Sequence, residues 1–523
     1  MSKPQSDNLF NLVKSMSPSE KRHFKLQGLS NKGESKSAQL FDLVENQKVY
    51  DEEILLAGAS FITPGQLANL KSNLYKKILQ SLRRFHLPTT IDAQIREMID
   101  YAHLLFNRGQ YKQCASQLKK AKALAKKSNN PEMILVILKW QKNVVLQTAN
   151  GDTRKLVKEI IVEAKDVNTR INNINQFTSI QLELNALYQK IGFIRNVNDH
   201  DKVKQIFKSS MPKLDEDKLS TNEKFSLYSL YINYYFFIQD FDRGYFFAKK
   251  WIALYDNSIL IRTNLESYIQ ALNSIMIAQS RLGLYPEFYK SKRKFRKIRF
   301  MSGVTFTENI NKKLFKYSYV HEFNGLFMQG HFSQGVRMLD RIRPDLEAYY
   351  NQLDAHSRVI MFYKIACLYV GDSNFSESLN WLNLIINSEH VDIREDVHGF
   401  ARILSLICHY EMGNQDVIDY YIRSTYRFLM KKKNLQLYQK YILSFLRRLG
   451  SVQISNQEMI IRFNLLRSQL LPLEDNPYEK RAFIYFDIIS WLESKIENRL
   501  VQDVIREKAA KQLSVNSENI KKI

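Results

Sequence analysis

Residues 101–121 read YAHLLFNRGQYKQCASQLKKA, and their pattern decides the fold. Tyr101, Ala102 and Leu105 form an apolar helical stripe, Gly109-Gln110-Tyr111 makes a turn from a glycine and an aromatic, and Cys114 opens a second stripe through Leu118 and Ala121. Apolar residues three and four apart mark one helix face, so the stretch predicts two helices packed about a tight turn. The figure recurs at Tyr231, Ile232, Tyr235, Asp240-Phe241, Gly244 and Ala248, and at Ile275, Met276 and Gly283-Leu284-Tyr285. It returns at Phe323, Leu326, Gly330-His331-Phe332, Gly335 and Leu339, and at Ile365-Ala366, Tyr369, Phe375, Ser378 and Leu382. Weaker copies turn near Gly151, Asn198 and Gly413. Turns at 109, 151, 198, 239, 283, 330, 373 and 413 imply eight helical hairpins, about 43 residues apart on average.

The figure resembles the tetratricopeptide repeat (TPR) over roughly residues 92–430. Its spacing exceeds the family's about 34 residues and matches HEAT and armadillo repeats, whereas the Gly-x-aromatic turn favours a TPR-like unit with long helices. The resemblance implies an all-α fold, an α-solenoid of about eight helical hairpins forming a TPR-like superhelix, with repeats over residues 92–455. It also implies a concave groove, lined by the first helix of each pair, that binds a protein or peptide partner. On that implication the peptide-groove candidates are Ser229, Asn233, Asn273, Arg281, Asn324 and Phe327, with asparagine offering both donor and acceptor to a peptide backbone. Ordinary solvated helix faces would carry the same residue types.

The ends lack the repeat. Residues 1–88 predict a small helical domain. Ser17-Pro18-Ser19-Glu20 is a capping box opening a helix to about Gln27, Gly28 to Ser35 is a loop, and Ala38 to Gln47 is another helix. A second box, Thr63-Pro64-Gly65-Gln66, precedes an amphipathic stretch through Phe85 whose polar face carries Lys76, Lys77, Arg83 and Arg84. Two readings fit: a domain that caps the solenoid, or a helix-turn-helix-like reader of nucleic acid. Residues 456–511 predict C-terminal capping helices, Glu458 to Leu470 and Tyr478 to about Ala510, with Trp491, Ile488, Phe486 and Ile484 as an apolar surface. Residues 512–523 predict a frayed tail.

Charge is uneven. The chain of 523 residues has a net charge of +24, yet four acid-free segments, residues 64–91, 102–131, 288–307 and 420–457, carry +27 in 116 residues, leaving the other 407 at −3. The densest island, Lys290 to Arg299, places seven cations in ten residues, including Lys292, Arg293, Lys294, Arg296 and Lys297; Lys431, Lys432 and Lys433 form another. With Lys76, Lys77, Arg83 and Arg84 these are the polyanion-binding candidates, with nucleic acid, anionic lipid or an acidic protein as partner, although a solvated basic surface has the same composition.

No run of 18 apolar residues occurs, the opening MSKPQSDNLF does not read as a secretory signal, and Cys114, Cys367 and Cys408 lie far apart, so a cytoplasmic chain without a transmembrane segment is expected. No phosphate loop, nucleophile elbow or metal-ligand spacing is visible. Asp199-His200-Asp201 is expected in a turn, and His409 and Glu411, two apart, fall on different helix faces. The expectation is a non-catalytic scaffold, with no metal, no cofactor and no small-molecule substrate. The alternative is a nucleic-acid-associated regulator that uses the solenoid to sense a partner.

Overall fold

The computed structural model describes residues 7–27, 36–59, 61–86, 90–148, 154–255, 258–304, 306–350, 353–388, 392–432, 435–449, 455–480, 483 and 486–520. Among these the fold is all-helical, with twenty-five α-helices and no strand. None of these helices is long and apolar enough to cross a membrane. The chain divides into two compact units, Met1–Thr169 and Arg170–Ile523, each described by itself.

The first unit begins with α1 (Asn8–Ser15), α2 (Pro18–Gln27), α3 (Lys36–Asn46), α4 (Glu52–Gly58) and α5 (Pro64–His86). Phe24, Phe41, Leu40, Val13, Leu74 and Ile78 are buried together between α1, α2, α3 and α5. The Ser17 box forms as the sequence predicts: Ser17 N–H donates to Glu20 Oε2 at 2.7 Å and Glu20 N–H to Ser17 Oγ at 3.3 Å. At the second box the Gln66 side chain accepts from Lys36 Nζ instead, at 3.4 Å. Helices α1 and α4 were not foreseen; Asp51 caps α4 by accepting from the Glu53 and Ile54 amides. Next come α6 (Ile91–Asn107), α7 (Tyr111–Lys127) and α8 (Pro131–Gln147), each packed on the next, with Cys114, Leu118 and Ala121 buried at the α6–α7 crossing.

The unit boundary falls inside α9 (Arg154–Ile191). The second unit continues with α10 (Val197–Ser210), α11 (Thr221–Phe237), α12 (Phe241–Ala253), α13 (Ser258–Thr263), α14 (Leu265–Arg281), α15 (Tyr285–Lys297) and α16 (Glu308–Gln329). Then follow α17 (Phe332–Tyr350), α18 (Ala355–Gly371), α19 (Phe375–Ile386), α20 (Glu395–Glu411), α21 (Gln415–Lys431) and α22 (Leu437–Leu449), and finally α23 (Asn456–Leu470), α24 (Ile488–Ile496) and α25 (Val501–Ile520). Most consecutive helices pack on one another, and a second set of contacts links α11, α14, α16, α18, α20 and α22 in a row, called the inner row below.

The turns explain this order. Gly109, Gln239, Gly283, Gly330, Ser373 and Gly413 all adopt left-handed backbone, at six of the eight positions the sequence predicts. Left-handed residues end helices by freeing the chain from the α conformation. At two of these turns the next residue caps the following helix: Asp240 accepts from Arg243 N–H at 3.0 Å and Asn374 from Glu377 N–H at 3.2 Å. The turn expected at 198 lies earlier. Gly192 takes the left-handed conformation and Asn196 caps α10, so Asp199-His200-Asp201 is helical rather than a loop. Asn196 accepts from the Asp199 amide, which outweighs the loop preference of these polar residues.

The predicted helix from Tyr478 to Ala510 is divided. Asp487 caps α24 by accepting from Ser490 N–H at 2.9 Å, and a turn at Glu497–Leu500 separates it from α25. Residues expected as a frayed tail continue α25 to Ile520. The expected turn near Gly151, the loop Gly28–Ser35, and Ile484 and Lys433 lie outside the described residues, as do the last three residues.

The second unit also closes on itself. Arg394, at the start of α20, donates its backbone N–H to the Gln189 carbonyl of α9 at 2.8 Å, and Arg195 stands 3.4 Å from Glu395. Arg506 of α25 donates to the Gly330 carbonyl at 3.2 Å, and Lys480 to that of Gln239 at 3.2 Å.

Candidate ligand-binding cavity

Helices α9, α11, α14, α16 and α18 line a cavity of about 380 Å³. Each helix brings a polar side chain to it: Tyr188 from α9, Asn233 from α11, Asn273 and Arg281 from α14, Lys316 and Asn324 from α16, and His356 and Lys364 from α18. Arg394 completes the wall beside α20. Phe237, Phe241, Tyr317 and Phe327 supply much of the apolar surface. Among the described residues no carboxylate lines it.

The cavity therefore unites five of the six groove candidates: Asn233, Asn273, Arg281, Asn324 and Phe327. Ser229 is outside it and accepts from Gln181 Nε2 at 3.3 Å. Lys316, Lys364, His356 and Arg394 were missed. Lys364 had a signal, being the one charge in the otherwise apolar stretch Val359–Val370.

Two of the amides are oriented by their neighbours. His321 Nε2 donates to Asn273 Oδ1 at 2.9 Å, and Lys364 Nζ donates to Asn324 Oδ1 at 2.6 Å. Lys364 also lies 5.3 Å from the Phe327 ring centre, where the ring's negative face attracts a cation. Burial, with the Arg281 charge close by, pushes the Lys364 ammonium down to about 7. Lys316 is lowered by burial too, against the pull of Asp354 at 4.0 Å. Burial, reinforced by nearby cations, pushes His321 and His356 each down to about 3, so both are neutral imidazoles. The Arg394 guanidinium forms a buried pair with Asp396 at 2.9 Å and covers the Tyr188 ring at 5.2 Å.

The basic islands are less uniform than their sequence. In the first unit Lys76, Arg83 and Arg84 are exposed, Arg83 being 3.7 Å from Asp100, while half-buried Lys77 donates to Ser37 Oγ at 3.2 Å. In the second, Lys292 is buried and shares Glu322 with Arg296, at 2.9 and 2.7 Å; Arg293, Lys294 and Lys297 are exposed. Lys431 is exposed, and Lys432 pairs with Asp392 and Glu395. Cys367 and Cys408 are buried among apolar side chains, which pushes both thiols up to about 12. Glu411 accepts from Trp491 Nε1 at 2.6 Å, and His409 stacks on Tyr421.

The chain is matched by no family model and by no curated relative.

Proposed function

We propose that the second unit is a recognition module, a non-catalytic TPR-like superhelix whose first helices take an extended segment of a partner protein into the cavity. One observation carries this reading: Asn233, Asn273 and Asn324, from three successive members of the inner row, line the same cavity. Amides repeated along a row of helices can meet successive peptide groups of an extended chain, and a preorganised wall leaves most of the ordering cost to the partner. The recurrence of left-handed turns at six predicted positions supports the repeat reading.

A peptide library displayed on phage, selected against the full chain, tests it. Selected peptides should lose about tenfold or more in affinity for Asn233→Ala and Asn324→Ala, while both variants keep a cooperative melt. Peptides indifferent to both substitutions would place recognition elsewhere.

Nucleic-acid binding is a second reading, favoured by the exposed cations Lys76, Arg83 and Arg84 on α5 and Arg293, Lys294 and Lys297 on α15. Phe300, 86% exposed just beyond α15, adds a ring on which a base could stack. Contact with six or more phosphates would weaken binding by about a thousandfold between 50 and 200 mM salt; negligible binding at both salts would reject this reading.

A further inference from the structure

We propose that the ligand of this cavity carries a phosphomonoester, seated against Lys364, Arg281 and Lys316. The proposal rests on the cavity being the recognition site and names the chemistry recognised there.

Among the described residues the wall holds four cations and no carboxylate. Behind it, Asp396 pairs with Arg394 and Asp354 stands 4.0 Å from Lys316. Lys364 has the Asn324 oxygen at 2.6 Å, and no carboxylate pairs with it among the described residues. The oxygens of Asn273 and Asn324 accept from His321 and Lys364, so each amide keeps its NH2 donors for another partner. Among the described lining residues every ionised group is therefore a cation, set beside neutral amides, hydroxyls and rings. Like charges held close in a low dielectric, as Arg281 is to Lys364, repel strongly, and several acceptor oxygens bearing more than one negative charge would relieve that repulsion. A phosphomonoester supplies three terminal oxygens and about −1.5 to −2 charges near neutral pH; a carboxylate supplies two oxygens and one charge. Size agrees, since about 380 Å³ lies at the lower end of small-ligand sites and admits a small organic phosphate or a phosphorylated side chain. Aromatic rings in the wall, such as Tyr188 and Phe327, suit the body that bears the phosphate.

Calorimetry on the full chain tests the proposal, with inorganic phosphate, acetate, adenosine monophosphate and a phosphoserine peptide beside its unphosphorylated twin as probes. Phosphate should bind about tenfold or more tightly than acetate, and Lys364→Met and Arg281→Gln should each weaken it by about tenfold or more. Lys364→Arg, which keeps the charge, should retain binding, and Lys294→Gln on the exposed face of α15 should leave it unchanged. If the nucleotide binds more tightly than the phosphopeptide, the phosphate comes from a free small molecule; the reverse order assigns it to a phosphorylated segment. No phosphate binding at tens of millimolar, equal affinity for acetate, or an equal loss in Lys294→Gln would overturn the proposal. Phage-selected peptides that depend on Asn233 and Asn324 while phosphate fails would refute the phosphoryl assignment alone; indifference of both peptides and phosphate to the cavity variants would refute the site.

Discussion

Lys364 of α18 reaches Asn324 of α16 with an Nζ–Oδ1 separation of 2.6 Å, a polar link between neighbouring members of the inner row like that of His321 to Asn273. A buried ammonium met by a neutral amide costs stability in the empty protein. Below about pH 7 Lys364 is protonated in both folded and unfolded chains and the cost is fully present. Between about pH 7 and the unfolded lysine value the unfolded chain holds the extra proton, so stability rises with pH and the cost fades. Lys364→Met should therefore stabilise the protein by on the order of 3 kcal/mol at pH 6, with the gain shrinking toward pH 10.5. Urea midpoints of both proteins at pH 6, 8 and 10 measure this.

His321 and His356 act at the other end of the scale. Each is neutral when folded and takes up a proton on unfolding once the pH falls below the ordinary histidine range. Stability should fall by about 1.4 kcal/mol per pH unit for each of them between roughly pH 6 and 3. His321→Gln should flatten that slope by about half of their joint effect, read from denaturant midpoints at pH 7, 5 and 4.

The Arg394–Asp396 pair is fully enclosed, with side chains 1% and 0% exposed, and it stands where α20 meets the end of α9. Removing one charge breaks a buried ion pair, at a cost of about 3–5 kcal/mol. Asp396→Asn should lower stability by about that amount, and Arg394→Met with Asp396→Met by clearly less. Thermal melts of the three proteins make the comparison.

Gly330 and Gly413 share left-handed backbone in different surroundings. A Cβ at Gly330 would stand 2.6 Å from the Gln502 carbonyl oxygen and 2.9 Å from the Arg506 amide, whereas one at Gly413 would meet nothing within 4 Å. Gly413→Ala should lose only the conformational preference, about 1 kcal/mol, and Gly330→Ala at least twice that because α25 must move away. Equal losses would show that α25 does not rest on this turn.

Much of this architecture could be read from the chain because its signals are local. A glycine or polar residue in left-handed backbone, with an N-cap directly after it, marks a turn within a few residues, as at Gln239-Asp240 and Ser373-Asn374. Polar residues on predicted first helices likewise led to Asn233, Asn273 and Asn324. The closure was invisible, because Arg394 meets Gln189 and Arg506 meets Gly330 across long stretches of sequence. The same distance hid the answer to the crowded charges of residues 290–299: Glu322 of α16 takes up both Lys292 and Arg296. Lys364 was hidden differently, since a lysine within a run of core residues reads as part of an apolar helix until its neighbours leave a cavity beside it.

Amide hydrogen exchange on the full chain, with and without a phage-selected peptide, tests the central claim most directly. Binding in the cavity should slow exchange in residues 221–237, 265–281, 308–329 and 355–371, the inner-row helices that line it. Protection confined to residues 64–86 or 285–297, with those four helices unchanged, would contradict the account.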